Sequence, residues 1–448
     1  MHKNIFITIA IITGFALSFN AQVVHKRDTI ETTIQIIPAP PNGYVQVSLF
    51  HPIGTSWTKS KYKTYNFSLN IIHGQTGGIN GFEFGPFSNV TRGDVRGVQI
   101  GGVNVVKGKA VNGIQFGLLA NVTLANTKGL QLSGGWTHNH GEFYGFQFSW
   151  LGNTNWNSVY GAQLSHLWNH SQKNLYGLQF ALGPNTVKEN AYGIQFSASM
   201  NYAGKEHKGA QFAFFANYAG SSEGFQLGMV NISKQYAGIQ GGLFNYAGKS
   251  NQLQAGLINI APKGAKLQVG LINYSGDSLV APVGLINVVK NGYNKLEVWG
   301  SELQSFNLAI KTGGHKFYSI LSAGTNPFNE NKYWTMGWGV GSHIQITKRF
   351  YSDIDNITSI VNINEPISFG TGKNTFLNQT RFTAGFAFHK KVALYIGPMI
   401  NFLISDNNQL VDGKNGIVLA PTFRTAYGSI GNYQFALWPG ITGGIRFF

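Results

Sequence analysis

Residues 113–123 read Gly113-Ile114-Gln115-Phe116-Gly117-Leu118-Leu119-Ala120-Asn121-Val122-Thr123. On an extended chain, Ile114, Phe116, Leu118, Ala120 and Val122 fall on one side, and Gly113, Gln115, Gly117, Leu119 and Asn121 on the other. Residues 193–202 repeat the pattern, with Ile194, Phe196, Ala198, Met200 and Tyr202 set against Gly193, Gln195, Ser197, Ser199 and Asn201. One greasy side and one small or polar side describe a β-strand of about ten residues. The period and the glycine load exclude a helix, because an interior glycine costs a helix about 0.5–1 kcal/mol.

Outward from this stretch, the phrase Gly-x-Gln recurs in both directions. It pairs Gly97 with Gln99, Gly113 with Gln115, Gly129 with Gln131 and Gly145 with Gln147. It continues as Gly161 with Gln163, Gly177 with Gln179, Gly193 with Gln195 and Gly209 with Gln211. The step then shortens, through Gly224 with Gln226 and Gly238 with Gln240 to Gln254 and Gln268, and Gly284 carries the last copy. Gly81-Phe82-Glu83 and Tyr65-Asn66-Phe67 extend the register backwards. The array covers residues 65–290 in about fifteen units. Between the strands lie turn residues such as Ser171-Gln172-Lys173-Asn174, Lys188-Glu189-Asn190 and Pro262-Lys263-Gly264, and most of the array's charges sit there.

Two all-β architectures accommodate such units. In an antiparallel meander each unit is one strand and each turn a hairpin, and the Gln of one unit faces the Asn of the next. In a β-solenoid each unit is one coil, and equivalent glutamines stack into a ladder. A short coil containing a ten-residue strand leaves little chain to return and close a core, so the meander is the favoured expectation. No helical layer exists to cover the Ile/Leu/Phe side. A closed transmembrane barrel would turn that side to lipid, enclose Gly, Gln, Ser and Asn in a polar interior, and leave no open edge. Tyr144, Tyr160, Tyr176, Tyr192, Tyr202, Tyr218 and Tyr246 mark strand ends, where an interfacial aromatic girdle belongs.

Composition agrees. The chain of 448 residues has 58 Gly, 14% aromatics and only 11% charged residues, which excludes a disordered tail. The absence of Cys excludes disulfide scaffolds and thiolate metal sites. The mean hydropathy of −0.06 is what alternation averages to. Residues 1–21 read as a secretory signal peptide: basic Lys3, an apolar run over 5–19, then Asn20-Ala21-Gln22. A net charge of +16 is spread over turns rather than gathered on one element. It therefore suits anionic lipid head groups better than nucleic acid.

Beyond residue 294 the repeat stops but alternation continues. Strands are expected over 295–303, 306–311, 316–322, 333–347, 350–363, 376–388, 391–404, 417–426 and 432–448, with turns at 326–327, 329–331, 406–408 and 412–414. A further strand is expected near 44–51, within the N-terminal segment 22–64. Trp334-Thr335-Met336-Gly337-Trp338-Gly339-Val340-Gly341, its return strand, and the terminal Gly443…Phe448 resemble outer-membrane β-barrel proteins of Gram-negative bacteria. Arg446 departs from the terminal assembly signal of that class, where an apolar residue is expected. The array, in Gln254-Ala255-Gly256-Leu257-Ile258-Asn259 and Gln268-Val269-Gly270-Leu271-Ile272-Asn273, is similar to a bacterial surface-repeat family built on Gly-x-Gln-x-Gly-x-x-Asn. The resemblance implies an outer-membrane location, with membrane lipid and the barrel-assembly machinery as partners and a surface ligand left open. It brings no established chemistry. The strand total is expected in the low to mid twenties, either in one wall or as an array beside a smaller eight-stranded barrel in residues 291–448.

No motif assigns a catalytic, cofactor-binding or metal-binding residue. Gly276-Asp277-Ser278-Leu279 spells a lipase-like block but lies in a repeat turn. His138-Asn139-His140 puts two imidazoles on one strand face, in a turn slot that other units fill with ordinary polar residues. Gly337, Gly339 and Gly341 alternate within a strand and precede no helix. The chain is read as a non-enzymatic outer-membrane protein with a structural, pore or surface-interaction role. The alternatives are an adhesin with a protruding solenoid and, third, a lipid-modifying enzyme without a credible triad.

Overall fold

A computed structural model describes residues 42–108, 110–327, 333–363, 375–389, 391–405, 426–430 and 433–447. The expected signal peptide, residues 22–41, Phe448 and the turns expected at 329–331, 406–408 and 412–414 lie outside the described residues. So does the strand expected over 417–426, except for Ala426.

The repeat array is a β-solenoid of about 14 turns. This corrects the favoured expectation: neighbouring units pair in parallel and in register, and the array is not the wall of a barrel. Gln163 sits beside Gln147 on one side and Gln179 on the other, and Asn169 lies between Asn153 and Asn185. The coil closes because its strand is not ten residues long. Val159–Ser165 and Trp168–Ser171 are separate strands, joined by a corner at 166–167 and followed by a second corner at 172–174. The first strands of all coils stack into one sheet and the second strands into a facing sheet. At the N-terminal end, Asn42–Phe50 pairs in parallel with Thr64–Thr76 and antiparallel with Ile53–Gly54.

The glycine of Gly-x-Gln has a steric cause. Gly145 has φ of 137°, and a Cβ there would stand 2.0 Å from the carbonyl oxygen of Gly129 in the preceding coil. The same left-handed backbone recurs from Gly81 to Gly209 wherever coils are 16 residues long. Gly224 and Gly238 keep the close approach to the preceding coil without that backbone. In the later 14-residue coils the glycine itself is gone, and Gln252 and Lys266 occupy the position.

Residues 293–447 form an antiparallel sheet that closes on itself. Tyr293–Ser301, Phe306–Gly313, Tyr318–Thr325, Tyr333–Gln345, Phe350–Ile363, Thr375–His389, Val392–Ser405 and Tyr433–Phe447 pair in sequence, and the last pairs back with the first. The short strand Ala426–Ile430 adds to the start of the last one. The result is an eight-stranded barrel beside a solenoid. Consecutive strands are close in sequence at one rim (Gly313 to Tyr318, Gln345 to Phe350, His389 to Val392) and further apart at two places on the other (Ile363 to Thr375, Ser405 to Ala426). Lumen-facing glycines make room for aromatic rings: a Cβ at Gly341 would meet the Tyr318 ring at 2.4 Å.

The last coil docks end-on against the outer wall of the barrel. The His315 amide, in the short turn, donates to the Ser278 carbonyl. Asn287 Nδ2 donates to the Thr312 carbonyl, the Gly284 amide donates to Ser319 Oγ, and Trp338 Nε1 donates to the Gly284 carbonyl. Pro282, stacked on Gln268, ends the first sheet's glutamine column.

Candidate functional site

The interior of the solenoid holds two columns of amides beside columns of apolar residues such as Phe143, Val159 and Leu175. Each glutamine from Gln115 to Gln268 donates its amide to the glutamine of the preceding coil at 2.7–2.9 Å, and Gln99 donates to Glu83. The asparagine column runs the opposite way. Asn153 donates to Asn169, Asn169 to Asn185, and so on to Asn287. Each asparagine from Asn153 to Asn273 also donates to a backbone carbonyl at or just past the end of the next coil's first strand, as Asn169 does to Phe180. These amides are buried, and pairing recovers the cost of taking them out of water.

The repeat positions singled out in the sequence are thus brought together, but not as the polar lining of a barrel. Gln99, Gln115, Gln131, Gln147, Gln163, Gln179 and Gln195 are fully buried in one unbroken column, and Asn121 lies in the other. Gln211, Gln226 and Gln240 are buried in the same column, across the change from 16- to 14-residue coils. The column absorbs the shorter step because register is set at the amide, while the lost residues come out of the chain between one amide and the next. A barrel wall would have turned these glutamines toward an aqueous lumen; parallel stacking instead seals them in the core against their equivalents. They are the frame, and they present nothing to a ligand.

Glu83 is the natural end of a column of donors, since a carboxylate only accepts. It receives bonds from Gln99, Thr91 and Asn70, while burial holds its carboxyl above the ordinary value. In the column that holds Phe143, Val159 and Leu175 stands His207, bonded to Ser222 at 3.0 Å. Burial pushes its imidazole down to about 4.

The outer surface divides sharply. At the corner after the first strand stand Phe87, Leu118, Leu119, Trp150, Leu167, Leu182, Phe214, Phe215, Leu243, Leu257 and Leu271, all exposed; Leu118 is 62% and Phe214 61% accessible. The outward positions of the first sheet continue this surface with Ile114, Phe116, Phe146, Phe180, Ile194 and Phe196. No Lys, Arg, Asp or Glu interrupts this corner. The opposite corner carries Arg92, Lys107, Lys173, Lys188, Lys205, Lys234, Lys249, Lys263 and Lys290, with the acids Asp94, Glu142, Glu189, Glu206 and Asp277. Between the two zones run stacked tyrosines: Tyr144, Tyr160, Tyr176 and Tyr192 at 4.5–5.2 Å on one sheet, Tyr202 on Tyr218 at 4.9 Å on the other.

The barrel lumen is filled. Glu297, Asp353 and Asp355 meet Lys311, Arg381 and Arg446, all buried. Lys311 lies 2.8 Å from both Glu297 and Asp355, and Arg381 lies 2.6 Å from Asp355. Arg446 bonds Glu297 through Nε at 2.6 Å and also pairs with Asp353. Tyr293, Tyr318 and Tyr395 donate to the carboxylates, and the Arg446 guanidinium lies 4.4 Å over the Tyr351 ring. Arg446, the anomaly in the terminal motif, is therefore a lumen residue. Gly443 lies in the closing strand opposite Gly300 and Ile396, and Phe448 falls outside the described residues. Sequence reading missed this cluster because its six charges come from five strands spread over most of the barrel. The alternation of Glu297, Lys311, Asp353, Asp355 and Arg381 with apolar neighbours is the signal that could have found it.

No family model, curated protein or solved structure matches the chain. The fold and its surfaces therefore carry the functional argument alone. The isolated motifs add little. Asp277 of the lipase-like block accepts the Leu279 amide within its turn, and Ser278 offers its carbonyl to the barrel. His138 and His140 share one face and lie 4.9 Å apart, and His140 stacks on Trp156 at 5.4 Å. Among the described residues no group of three metal-ligating side chains forms.

Proposed function

We propose that the chain is a non-enzymatic protein of the bacterial outer membrane, in which the eight-stranded barrel is the anchor and the β-solenoid is the interaction module. The observation that carries this reading is the barrel's combination of an apolar outer wall and an ion-paired lumen. Leu296, Leu308, Ile310, Met336, Phe382, Ile396, Ile400 and Leu437 face outward and exposed, which suits hydrocarbon. The lumen charges stabilise one another inside and leave little room for a water-filled path, so the anchor is favoured over the pore. The adhesin-like reading gains from the repeat array being a solenoid, an architecture that offers long regular binding surfaces. The export signal and the surface-repeat resemblance agree with this location.

Fractionation of cells producing the full chain tests the reading. The protein should stay with the outer membrane through alkaline carbonate washing and require detergent for release. Recovery in the soluble fraction would overturn it. In planar bilayers the purified protein should give no stepwise conductance.

A further inference from the structure

We infer that the solenoid's partner is lipid: the array lies edge-on in the membrane leaflet beside the barrel's short-turn rim, with its apolar corner toward the bilayer midplane and its basic corner among head-group phosphates. The inference rests on the barrel being the membrane anchor and names what the interaction module engages.

Docking geometry carries the argument furthest. The solenoid's end packs against the outer wall of the barrel, so its long axis leaves the barrel sideways. If the barrel spans the bilayer, the array runs within the membrane plane. Its rotation about that axis is also set. Ser278, at the basic corner, meets His315 in a short turn at the rim. Gly284, at the apolar corner, meets Ser319 and Trp338, which lie further along the wall. The charged corner is thereby held at rim height and the apolar corner at depth. In barrels of this kind short turns mark the periplasmic side and longer loops the extracellular one. The leaflet concerned is therefore the inner leaflet of the outer membrane.

Dimensions agree. From Phe146 through Phe148 to Trp150 the apolar part of a coil extends roughly 13 Å at about 3.3 Å per residue, a little under half of a hydrocarbon core about 30 Å thick. Tyr144, just before it, falls where aromatic rings sit at a membrane interface. The lysines beyond reach the phosphates, and anionic lipid rewards them by about 1 kcal/mol each.

The backbone is compatible with that placement. Hydrocarbon tolerates only chain whose N–H and C=O groups are paired within the protein. At the apolar corner many of them are paired from coil to coil. Leu243 N donates to the Met229 carbonyl, Ile258 N to Leu243, Ile272 N to Leu257 and Ile286 N to Leu271. Ser133 and Ser197 hydroxyls bond the carbonyls of Leu119 and Gly183. The barrel covers the C-terminal end of the sheets. Such pairing belongs to any stack of parallel coils and is compatible with lipid; in water the array would expose a continuous aliphatic ridge, the feature soluble proteins avoid.

The chain has no cysteine, so single-cysteine labelling is clean. The full-length variants Leu118→Cys, Leu167→Cys and Leu257→Cys at the apolar corner, Lys173→Cys and Lys205→Cys at the basic corner, and Ile400→Cys on the barrel wall each carry a fluorophore. They are reconstituted in phosphatidylethanolamine/phosphatidylglycerol vesicles containing lipid with a nitroxide either deep in the acyl chain or on the head group. The deep nitroxide should quench the three leucine positions and the barrel position more strongly than the head-group nitroxide, with the order reversed at the two lysine positions. If the barrel position is quenched from the acyl chain while the leucine positions answer only to aqueous quenchers, the leaflet inference falls and the anchor stands. If the leucine positions answer to neither lipid nor water, a protein partner or self-association covers the corner and the inference also falls. Aqueous quenching at every position, Ile400→Cys included, overturns the anchor and the inference together.

Discussion

At Gln163 one side chain serves two neighbours. It donates to Gln147 at 2.9 Å and accepts from Gln179 at 2.8 Å. Gln163→Leu keeps the volume but leaves a buried donor on one side and a depleted acceptor on the other. A loss of about 2–4 kcal/mol is expected, since each stranded polar group costs about 1–3 kcal/mol. Chemical denaturation in detergent reads this directly. His207 makes a pH-dependent case. Its folded value, pushed down to about 4 by burial, lies below the unfolded value of 6.5. The unfolded chain therefore binds the extra proton first as pH falls. This contribution is fully present above about pH 6.5 and is lost progressively toward pH 4, amounting to about 3 kcal/mol. Its ring meets Ser222 from the next coil and Ala191 from the preceding one, with charged Glu206 and Lys208 beside it in sequence facing out. His207→Leu, matching Leu175 in the same column, should flatten the stability profile between pH 6.5 and 4 relative to the parent. An unchanged difference between the two pH values would contradict the assignment.

At the scale of the element, the coil shows what the sequence discloses and what it hides. Period, strand character, the greasy and amide faces, the charged turns and the closing of the array near residue 290 can all be read from side-chain alternation. The direction of pairing cannot, because Gln two residues and Asn eight residues after the glycine align acceptably in either sense. The misleading feature is the apparent ten-residue strand. Leu119 sits among Gly113, Gln115, Gly117 and Asn121 on the polar face, as do Leu151 and Leu167 in later coils. These residues mark the corner where alternation slips by one: Leu118 and Leu119 both face out, and Ala120 and Asn121 both face in. Two short facing strands enclose the amide columns, small residues and a column of apolar side chains such as Phe143, Val159 and Leu175, so a core does close. The repeat glycine gives the matching test. Gly145→Ala meets both a positive φ and the Gly129 carbonyl, and should cost about 1–3 kcal/mol in strain. Denaturation midpoints of the two proteins measure it. In the barrel, the Arg446 reading rests on contacts from strands distant in sequence, which no local pattern reports. Arg446→Leu leaves Glu297 and Asp353 buried without one of their cations. It should lower barrel stability by about 3–5 kcal/mol, seen as earlier loss of the fast-migrating folded band on heating in detergent.

For the whole molecule, the two parts obey different rules of assembly. The barrel is closed, and every strand is needed to complete the circuit. The solenoid is quasi-one-dimensional: each coil touches only its neighbours, and its register is carried by the amide columns. A deletion that preserves the columns should therefore be tolerated anywhere away from the ends. Removing residues 161–176 joins Tyr160 to Gly177, stacks Gln179 on Gln147 and Asn185 on Asn153, and retains both the N-terminal strand and the docking on Ser319 and Trp338. This shortened chain should reach the membrane with its barrel folded and its array resistant to protease, having lost only one coil's interfaces. Removing residues 161–168 instead puts Asn169 where Gly161 stood, Ser171 where Gln163 stood and Lys173 where buried Ser165 stood, breaking the glutamine column and forcing a charge inward. That chain should be degraded, or should show an array cut between coils beside an intact barrel. Equal protease resistance of the two deletions would mean that the amide register does not hold the solenoid together.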